Sequence, residues 1–330
     1  MSTKPKIAMY WAASCGGCEI ALVNLHEKIL DVDAAFDFYF CPCLLDTKTN
    51  DIKALPDGEL AITFFNGGIR TEENLEMARL LRKKSQILIA FGSCAIEGCI
   101  PGLANLTAAK SLIDTIYHDN ITIDNPEQIT PDPQTQVAEG PLGVPAFRDT
   151  LQTLAQVTEV DYFIPGCPPE SHQIWQAIAA LTAPAGPPPI GSVLGSGPST
   201  VCVECRREKT DKKINRFFRN YEIIPSETEC LLEQGLLCLG IATRQGCGGL
   251  CPEVNMPCTG CYGPPAGRSD QGARMTAALG SILDLGDTKG INESELLARI
   301  EQALGTIPDP VGTFYKYSLA GSIPGGRQDP

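Results

Sequence analysis

Short apolar runs alternate with amphipathic stretches through the first half of the chain. The run at 86–94 is continuous, which is typical of a strand buried on both faces of a sheet. The stretches between the runs have helical patterns at 18–30, 71–84 and 169–182, and Thr71 lies at the N-cap position of the second. The predicted strands are "KIAMYWAA" (6–13), "FDFYFCP" (36–42), "ELAITFFNGG" (59–68), "QILIAFGSC" (86–94) and "VDYFIPGC" (160–167).

This repeated strand–helix–strand order predicts an α/β fold: a flavodoxin-like, doubly wound parallel sheet with helices on both faces. The order ends in a Pro-, Gly- and Ser-rich run at 183–199, which we interpret as the boundary between two domains. We predict the sheet domain at 1–190. Residues 191–330 then form a small, mostly irregular domain organised by its ligands, with helices at 270–284 and 292–304.

The composition of the chain indicates which binding partners and which cellular compartment to expect. The chain has 330 residues and a net charge of −13, and an acidic surface repels the phosphates of nucleic acids. Its apolar runs are shorter than the roughly 18 residues of a transmembrane helix, so we expect no membrane association. The N-terminus shows neither a secretory pattern nor a twin-arginine stretch, so we expect a cytoplasmic protein. Residues 119–150, rich in Pro, Thr, Gln and Asp, predict a surface excursion.

Cysteine is the residue type that points to chemistry. The chain has fifteen, and in a cytoplasmic protein clustered thiols indicate metal rather than disulfides. Twelve of them fall into three groups of four. The first group is Cys15, Cys18, Cys94 and Cys167; the second is Cys202, Cys205, Cys230 and Cys238; the third is Cys247, Cys251, Cys258 and Cys261. Four thiolates fit a 4Fe–4S cluster, and they fit a tetrahedral zinc ion equally well.

The residues around the cysteines favour iron–sulfur clusters over zinc. The cysteines lie in Gly- and Pro-rich loops, where backbone N–H groups can point at cluster sulfurs. Cys15, Cys94 and Cys167 each follow the end of a predicted strand. Parallel sheets bind ligands outside the carboxyl ends of their strands, so we expect the first group to converge there.

Three cysteines remain outside these groups. We interpret Cys41, Cys43 and Cys99 as packed thiols, because a free cysteine usually behaves as a small buried apolar residue. Asp46 follows the same predicted strand as Cys41 and is an alternative carboxylate ligand for the first group. The chain has three histidines, from which no Ser/His/Asp triad can be assembled, and no Gly-rich nucleotide motif follows a strand.

Three motifs and the cysteine-rich C-terminal half together resemble the small subunit of [NiFe] hydrogenases. The motifs are "CGGCE" at 15–19, "GSCA" at 92–95 and "PGCPP" at 165–169. The resemblance implies that the first group binds a proximal 4Fe–4S cluster, which faces the nickel–iron centre of a separate large subunit. It also implies that this chain transfers electrons and contains no catalytic residue.

The C-terminal half departs from the exported members of that family. Cys202-x2-Cys205 stands where they have a His-x2-Cys pair, and the third group has four cysteines where they have three. These features look like the cytosolic methyl-viologen-reducing hydrogenase, which does not reduce deazaflavin; the deazaflavin-reducing enzyme is the runner-up. The resemblance implies that the second group holds a distal 4Fe–4S cluster and the third a medial one. Electrons would then pass to an additional iron–sulfur subunit and to heterodisulfide reductase.

Two other classes stay open at this point. A zinc-stabilised interaction module would use the same cysteine groups. A quinone-reductase subunit of the respiratory complex family shares the proximal-cluster fold. That family, however, uses adjacent cysteines and lacks the second and third groups, so the sequence argues against it.

Overall fold

The computed structural model describes residues 4–267 and 270–325. The chain divides into two compact units. One runs to Gly195 and includes the C-terminal segment from Leu319, and the other is Ser196–Ser318. The domain boundary between 190 and 191 stays a prediction.

The first unit is built on a parallel sheet. In chain order, the strands are β1 (Lys6–Trp11), β2 (Asp37–Phe40), β3 (Leu60–Asn66), β4 (Ile69–Thr71), β5 (Ser85–Phe91), β6 (Gln134–Val137), β7 (Gly140–Gly143), β8 (Phe147–Gln152) and β9 (Tyr162–Ile164). Five of them form the sheet in the order β2-β1-β3-β5-β9, with every neighbouring pair parallel. This is the strand order of a flavodoxin-like, doubly wound fold, so the predicted fold class is confirmed.

Helices connect these strands and make up most of the regular structure of the second unit. The α-helices are α1 (Gly17–Val23), α2 (Lys28–Ala35), α3 (Thr49–Ala54), α4 (Glu72–Lys84), α5 (Ser93–Glu97), α6 (Ala109–Asp114), α7 (Ser171–Leu181), α8 (Leu250–Glu253), α9 (Gln271–Ile282), α10 (Glu293–Leu304) and α11 (Pro310–Phe314). Short 3₁₀ turns occur at Ile100–Leu106, Leu154–Gln156, Val201–Val203 and Leu239–Ala242, and a π-helical turn at Thr115–Asp119. Among the helices of the described residues, none combines the length and apolar character that a membrane crossing requires.

Both faces of the sheet are covered, which explains the continuous apolar runs in its strands. Ile7 and Met9 of β1 pack into one core cluster, which also contains Leu22 of α1. Tyr10 lies on the opposite face and packs into a second cluster, which contains Leu81 of α4. Successive residues of a strand point to opposite faces, so a strand covered on both sides needs apolar residues throughout.

The predicted helix at 71–84 is present as α4, and Thr71 is its N-cap. Thr71 Oγ1 accepts a hydrogen bond from the backbone N–H of Asn74 at 3.2 Å, and Asn74 Oδ1 accepts one from the Thr71 N–H at 3.2 Å. This reciprocal pair satisfies N–H groups that the helix itself leaves without partners.

The prediction of a single helix at 18–30 is wrong. The segment divides into α1 and α2, because His26 adopts a left-handed backbone conformation with φ +54°. A right-handed helix cannot continue through such a residue. The apolar pattern runs across the break because both pieces pack against the same core, which contains Leu22 and Val32.

Residues 119–150 contain strands that the sequence did not predict. β6 and β7 form a hairpin of exposed residues, and β8 pairs antiparallel with β4. The second unit has a smaller core, which contains Phe217, Leu239 and Met275. Its predicted helices at 270–284 and 292–304 are present as α9 and α10.

Candidate metal centres

The first cysteine group lies at the carboxyl edge of the sheet. Cys15 is in the loop after β1 and Cys18 is on the α1 helix that follows it. Cys94 is on α5, directly after β5, and Cys167 follows β9. Strands β1, β5 and β9 run in the same direction, so all four cysteines lie at one edge of the sheet, as expected from the sequence.

Backbone hydrogen bonds hold the loops after β5 and β9 together. The N–H of Gly92 donates to the carbonyl oxygen of Ile164 at 2.8 Å, and the N–H of Ser93 donates to the carbonyl oxygen of Gly166 at 2.8 Å. The N–H of Gly166 in turn donates to Ser93 Oγ at 3.3 Å. These bonds fix the loop that carries Cys167 beside the start of the helix that carries Cys94.

The thiol of Cys18 is packed against the turn at Gly92. Gly92 has φ +82°, and a Cβ at that position would lie only 2.3 Å from Cys18 Sγ. Burial raises the pKa of Cys18, and the nearby thiols of Cys167 and Cys15 raise it further. Cys18 therefore lies beside the turn that precedes Cys94 and within electrostatic reach of Cys15 and Cys167, in a space that glycine at 92 leaves open.

Asn66, at the end of β3, orients the loop that carries the first two cysteines. Its Nδ2 donates to both carboxylate oxygens of Glu19 at 2.8 Å and to Ser14 Oγ at 2.9 Å. Burial raises the pKa of Glu19, and the hydrogen bond from Asn66 opposes that rise. Asn66 was not among the residues predicted from the sequence; the signal was a polar residue that ends an apolar run, "AITFFN".

Cys99 is a fifth thiol of this site. It is 1% exposed, as a packed thiol would be, but its Sγ donates to Cys167 Sγ at 3.5 Å and also interacts with Cys94. The neighbouring Cys99 thiol and burial raise the pKa of Cys167 above its usual range. The sequence signal was the position of Cys99, five residues after Cys94.

Three other residues singled out in the sequence follow β2, which is parallel to β1. Cys41 is buried, as predicted for a packed thiol, whereas the same prediction is wrong for Cys43, which is exposed; their Sγ atoms are 3.4 Å apart. Asp46 is exposed and forms an ion pair with Lys48, which lowers the pKa of the Asp46 carboxyl.

The second group lines an open pocket in the second unit. Cys202, Cys230 and Cys238 border a volume of about 470 Å³. Cys205 is within electrostatic reach of Cys202, but it borders a different pocket, near Gly249. The structure therefore places three of the four predicted thiols around one space and the fourth beside it.

Backbone amides point at the deepest thiol of this group. The N–H of Cys258 donates to Cys238 Sγ at 3.3 Å, and the N–H of Gly240 also bonds to that sulfur. Burial raises the pKa of Cys238 to about 12, while the two amides lower it. N–H···S bonds of this kind stabilise a thiolate and tune the potential of a cluster that it binds.

Interactions between thiols divide the third group into two pairs. Cys247 interacts with Cys251, and Cys258 interacts with Cys261. Burial raises the pKa of Cys247, and the amides of Gly249 and Leu250, whose N–H groups bond to its sulfur, oppose that rise.

Contacts within the second unit connect the second and third groups. Cys258, of the third group, interacts with Cys238 of the second through both its thiol and its amide. Glu204, which lies between the two cysteines of "CVEC", accepts hydrogen bonds from the N–H groups of Gly246 and Gly248 at 2.9–3.1 Å. Glu204 therefore fixes the loop that carries Cys247, a role that the sequence analysis missed.

Across the described residues, His, Cys, Asp and Glu side chains nowhere form a group of three or more that could hold a single metal ion. A 4Fe–4S cluster makes a different demand, because each of its four cysteines binds a different iron atom. The thiols at the sheet edge, the glycine turn against Cys18 and the pocket bordered by Cys202, Cys230 and Cys238 fit the chemistry of such a cluster.

Comparison with known proteins places the chain in a family. Residues 15–181 match a family model described as NADH ubiquinone oxidoreductase, 20 kDa subunit. The iron–sulfur subunit of the F420-non-reducing hydrogenase of Archaeoglobus profundus is 36% identical over 96% of this chain and 97% of its own. The chain belongs to this family of hydrogenase subunits. The corresponding subunit of the F420-non-reducing hydrogenase of Methanothermobacter thermautotrophicus agrees, at 35% identity over 98% of this chain and 97% of its own.

This family membership confirms the resemblance to a hydrogenase small subunit of the type that does not reduce deazaflavin, since F420 is a deazaflavin. The chain is a hydrogenase subunit, a component of an oxidoreductase. The family model covers the first cysteine group only, whereas the two hydrogenase relatives span the second and third groups as well. Among solved structures, an NAD+-reducing [NiFe]-hydrogenase chain matches with a TM-score of 0.48 and 27% identity, over 56% of this chain and 94% of that one.

Proposed function

We propose that this chain carries electrons between hydrogen oxidation in a separate [NiFe] large subunit and an acceptor, through three 4Fe–4S clusters. The observation that carries the proposal is the placement of the thiols. One group is gathered at the carboxyl edge of the sheet, and two more are connected through Cys258 and Cys238 in the second unit. Neighbouring thiol groups are what a path for single electrons requires.

Each group is assigned one cluster. The domain at 1–190 would hold the proximal cluster, and the domain at 191–330 the other two. The proposed ligands are Cys15, Cys18, Cys94 and Cys167 for the proximal cluster, Cys247, Cys251, Cys258 and Cys261 for the medial cluster, and Cys202, Cys205, Cys230 and Cys238 for the distal cluster.

The chain's own residues fix the ligands and tune them. When bound, a 4Fe–4S cluster accepts and donates one electron at a time. Burial keeps thiols such as Cys18 and Cys238 protonated in the metal-free protein, so iron binding must release their protons. The amides at Gly240 and Gly249 then face the sulfurs with N–H groups, which stabilises the thiolate form.

The surface beside the first group supports a large-subunit interface. Trp11, Ile20 and Val23, which lie on β1 and α1 near Cys15 and Cys18, are exposed by 42–62% of their surface. Exposed apolar side chains around a redox centre are expected where another protein covers them. We further propose a cytoplasmic location, an additional iron–sulfur subunit as the electron acceptor, and transfer onward to heterodisulfide reductase.

The test is a metal and subunit count on the full chain purified anaerobically with its natural partners. We expect about twelve irons per chain, from three clusters of four, together with broad visible absorption. Nickel should be found in the large subunit. Stoichiometric zinc with little iron would support the interaction module and reject the electron path.

A further inference from the structure

Cys99 has more contact with the first thiol group than a packing residue needs. Its side chain is 1% exposed, its Sγ donates to Cys167 Sγ at 3.5 Å, and it also interacts with Cys94. Cys18 is within electrostatic reach as well. Five thiols therefore share a site for which a 4Fe–4S cluster needs four.

The backbone conformation at Cys99 is strained for any residue that has a side chain. Its φ is +50° and its ψ is −154°, a combination that glycine adopts readily and other residues adopt only under strain. Gly98 precedes it with φ +88°, so the turn has two successive residues in conformations that favour glycine. The second of these positions nevertheless carries a thiol, and that thiol is directed into the cysteine group.

We propose that Cys99 is an exchangeable ligand of the proximal cluster, able to replace Cys167. This rests on the proposed function, because it requires a cluster on the first group. In the exchange, the bond between iron and Cys167 Sγ breaks and a bond between the same iron and Cys99 Sγ forms. The proton that Cys99 donates in its hydrogen bond passes to Cys167, so no electron is gained or lost and no other reactant is needed.

The two ligands differ in their access to solvent. Cys167 is partly exposed, whereas Cys99 is fully buried. Exchange therefore moves the iron–sulfur bond from a thiol that solvent can reach to one that it cannot. Cys15, the exposed member of the group, has no such substitute, since the contacts of Cys99 are with Cys94, Cys167 and Cys18.

The experiment compares four variants of the full chain, each purified anaerobically with the large subunit: Cys167→Ala, Cys99→Gly, the double variant, and Cys15→Ala as the control. Iron and acid-labile sulfide are counted per chain, and electron paramagnetic resonance spectra are recorded. We expect Cys167→Ala to keep the wild-type iron count. The double variant should lose at least one iron per chain, as should Cys15→Ala. Cys99→Gly should keep its iron and unfold at no lower temperature than wild type, because glycine relieves the strain.

The proposal is overturned if Cys167→Ala loses as much iron as Cys15→Ala, or if the double variant keeps the full count. Circular dichroism, recorded for every variant, distinguishes loss of a ligand from loss of folding. A wild-type protein that itself lacks iron would reject the proposed function instead, so the two failures give different results.

Discussion

At the scale of single residues, the cysteines of this hydrogenase subunit differ in what surrounds their sulfur atoms. Cys238 is partly buried and receives two backbone N–H groups, and Cys247 also receives two. Cys251 and Cys15 are exposed. Thiolates that accept N–H bonds from the backbone are held and tuned by the protein more closely than exposed ones. Substitution of a cysteine that accepts N–H bonds and of an exposed cysteine should therefore give different results.

Cys251 tests the assignment of the third group. Because Cys247, Cys258 and Cys261 would still bind the cluster, Cys251→Ala should release about one iron per chain without unfolding the second unit. The oxidised variant should show a 3Fe–4S signal by electron paramagnetic resonance that the intact wild type lacks. An unchanged iron count and spectrum would make Cys251 a free surface thiol, and complete loss of the cluster would show that the grouping is wrong.

Gly92 tests the space around Cys18 without removing any ligand. Gly92→Ala would place a methyl group 2.3 Å from Cys18 Sγ, so the thiol must move and the proximal cluster should be lost, with about four irons fewer per chain. Gly58→Ala is the matched control. Gly58 also has a positive φ, +73°, but the nearest atom to its added methyl would be Gln86 Cγ at 3.9 Å. If both variants keep their iron, Gly92 does not determine where Cys18 lies.

At the scale of elements, the site depends on where strands end and helices begin. The cysteines that follow β1, β5 and β9 lie at the same edge of the sheet. The helices on each face bury this sheet, in which the strands pair in register. The start of α4 is specified by Thr71 and Asn74, which cap it reciprocally. Its residues Met77 and Leu81 pack into the core cluster on one face of the sheet.

Removal of that cap should weaken the first unit without touching a thiol. Thr71→Ala leaves the N–H of Asn74 without its hydroxyl acceptor, which costs about 1 kcal/mol of unfolding free energy. Urea unfolding followed by circular dichroism measures the loss. Thr71→Ser keeps the hydroxyl and should behave as wild type, and iron content should be the same in both variants. Equal stability of the alanine and serine variants would show that the cap contributes nothing.

At the scale of the whole molecule, the chain is one part of an enzyme. It has two compact units, each with its own core and its own thiols. The formal net charge is −13, and apolar side chains such as Trp11 and Ile20 are exposed beside the first thiol group. A subunit of this kind functions together with the partners that cover its exposed surfaces.

The isolated chain should therefore be inactive. Purified anaerobically without the large subunit, it should bind iron but no nickel, and it should not reduce a viologen dye with hydrogen. Co-expression with the large subunit should restore dye reduction. Replacement of the exposed Ile20 by Asp should weaken that association, because a charge would be buried at the interface. The same change at the exposed Ile190 is the control, because its neighbour Gly191 bonds to Asp161 at the start of β9, whereas Cys167 follows the end of that strand. Hydrogen oxidation by the chain alone would contradict the proposal.

The parallel sheet, the edge at which Cys15, Cys94 and Cys167 lie, and the family could all be predicted from the sequence alone. These follow from local patterns: a strand buried on both faces is apolar throughout, and parallel strands end at one edge. The contact of Cys99 with Cys167, 68 residues away, and the hydrogen bond from Asn66 to Glu19 are visible only in the folded chain. Such contacts depend on the order of the strands and on the path of each loop, and the pattern of hydrophobic residues within a single segment specifies neither.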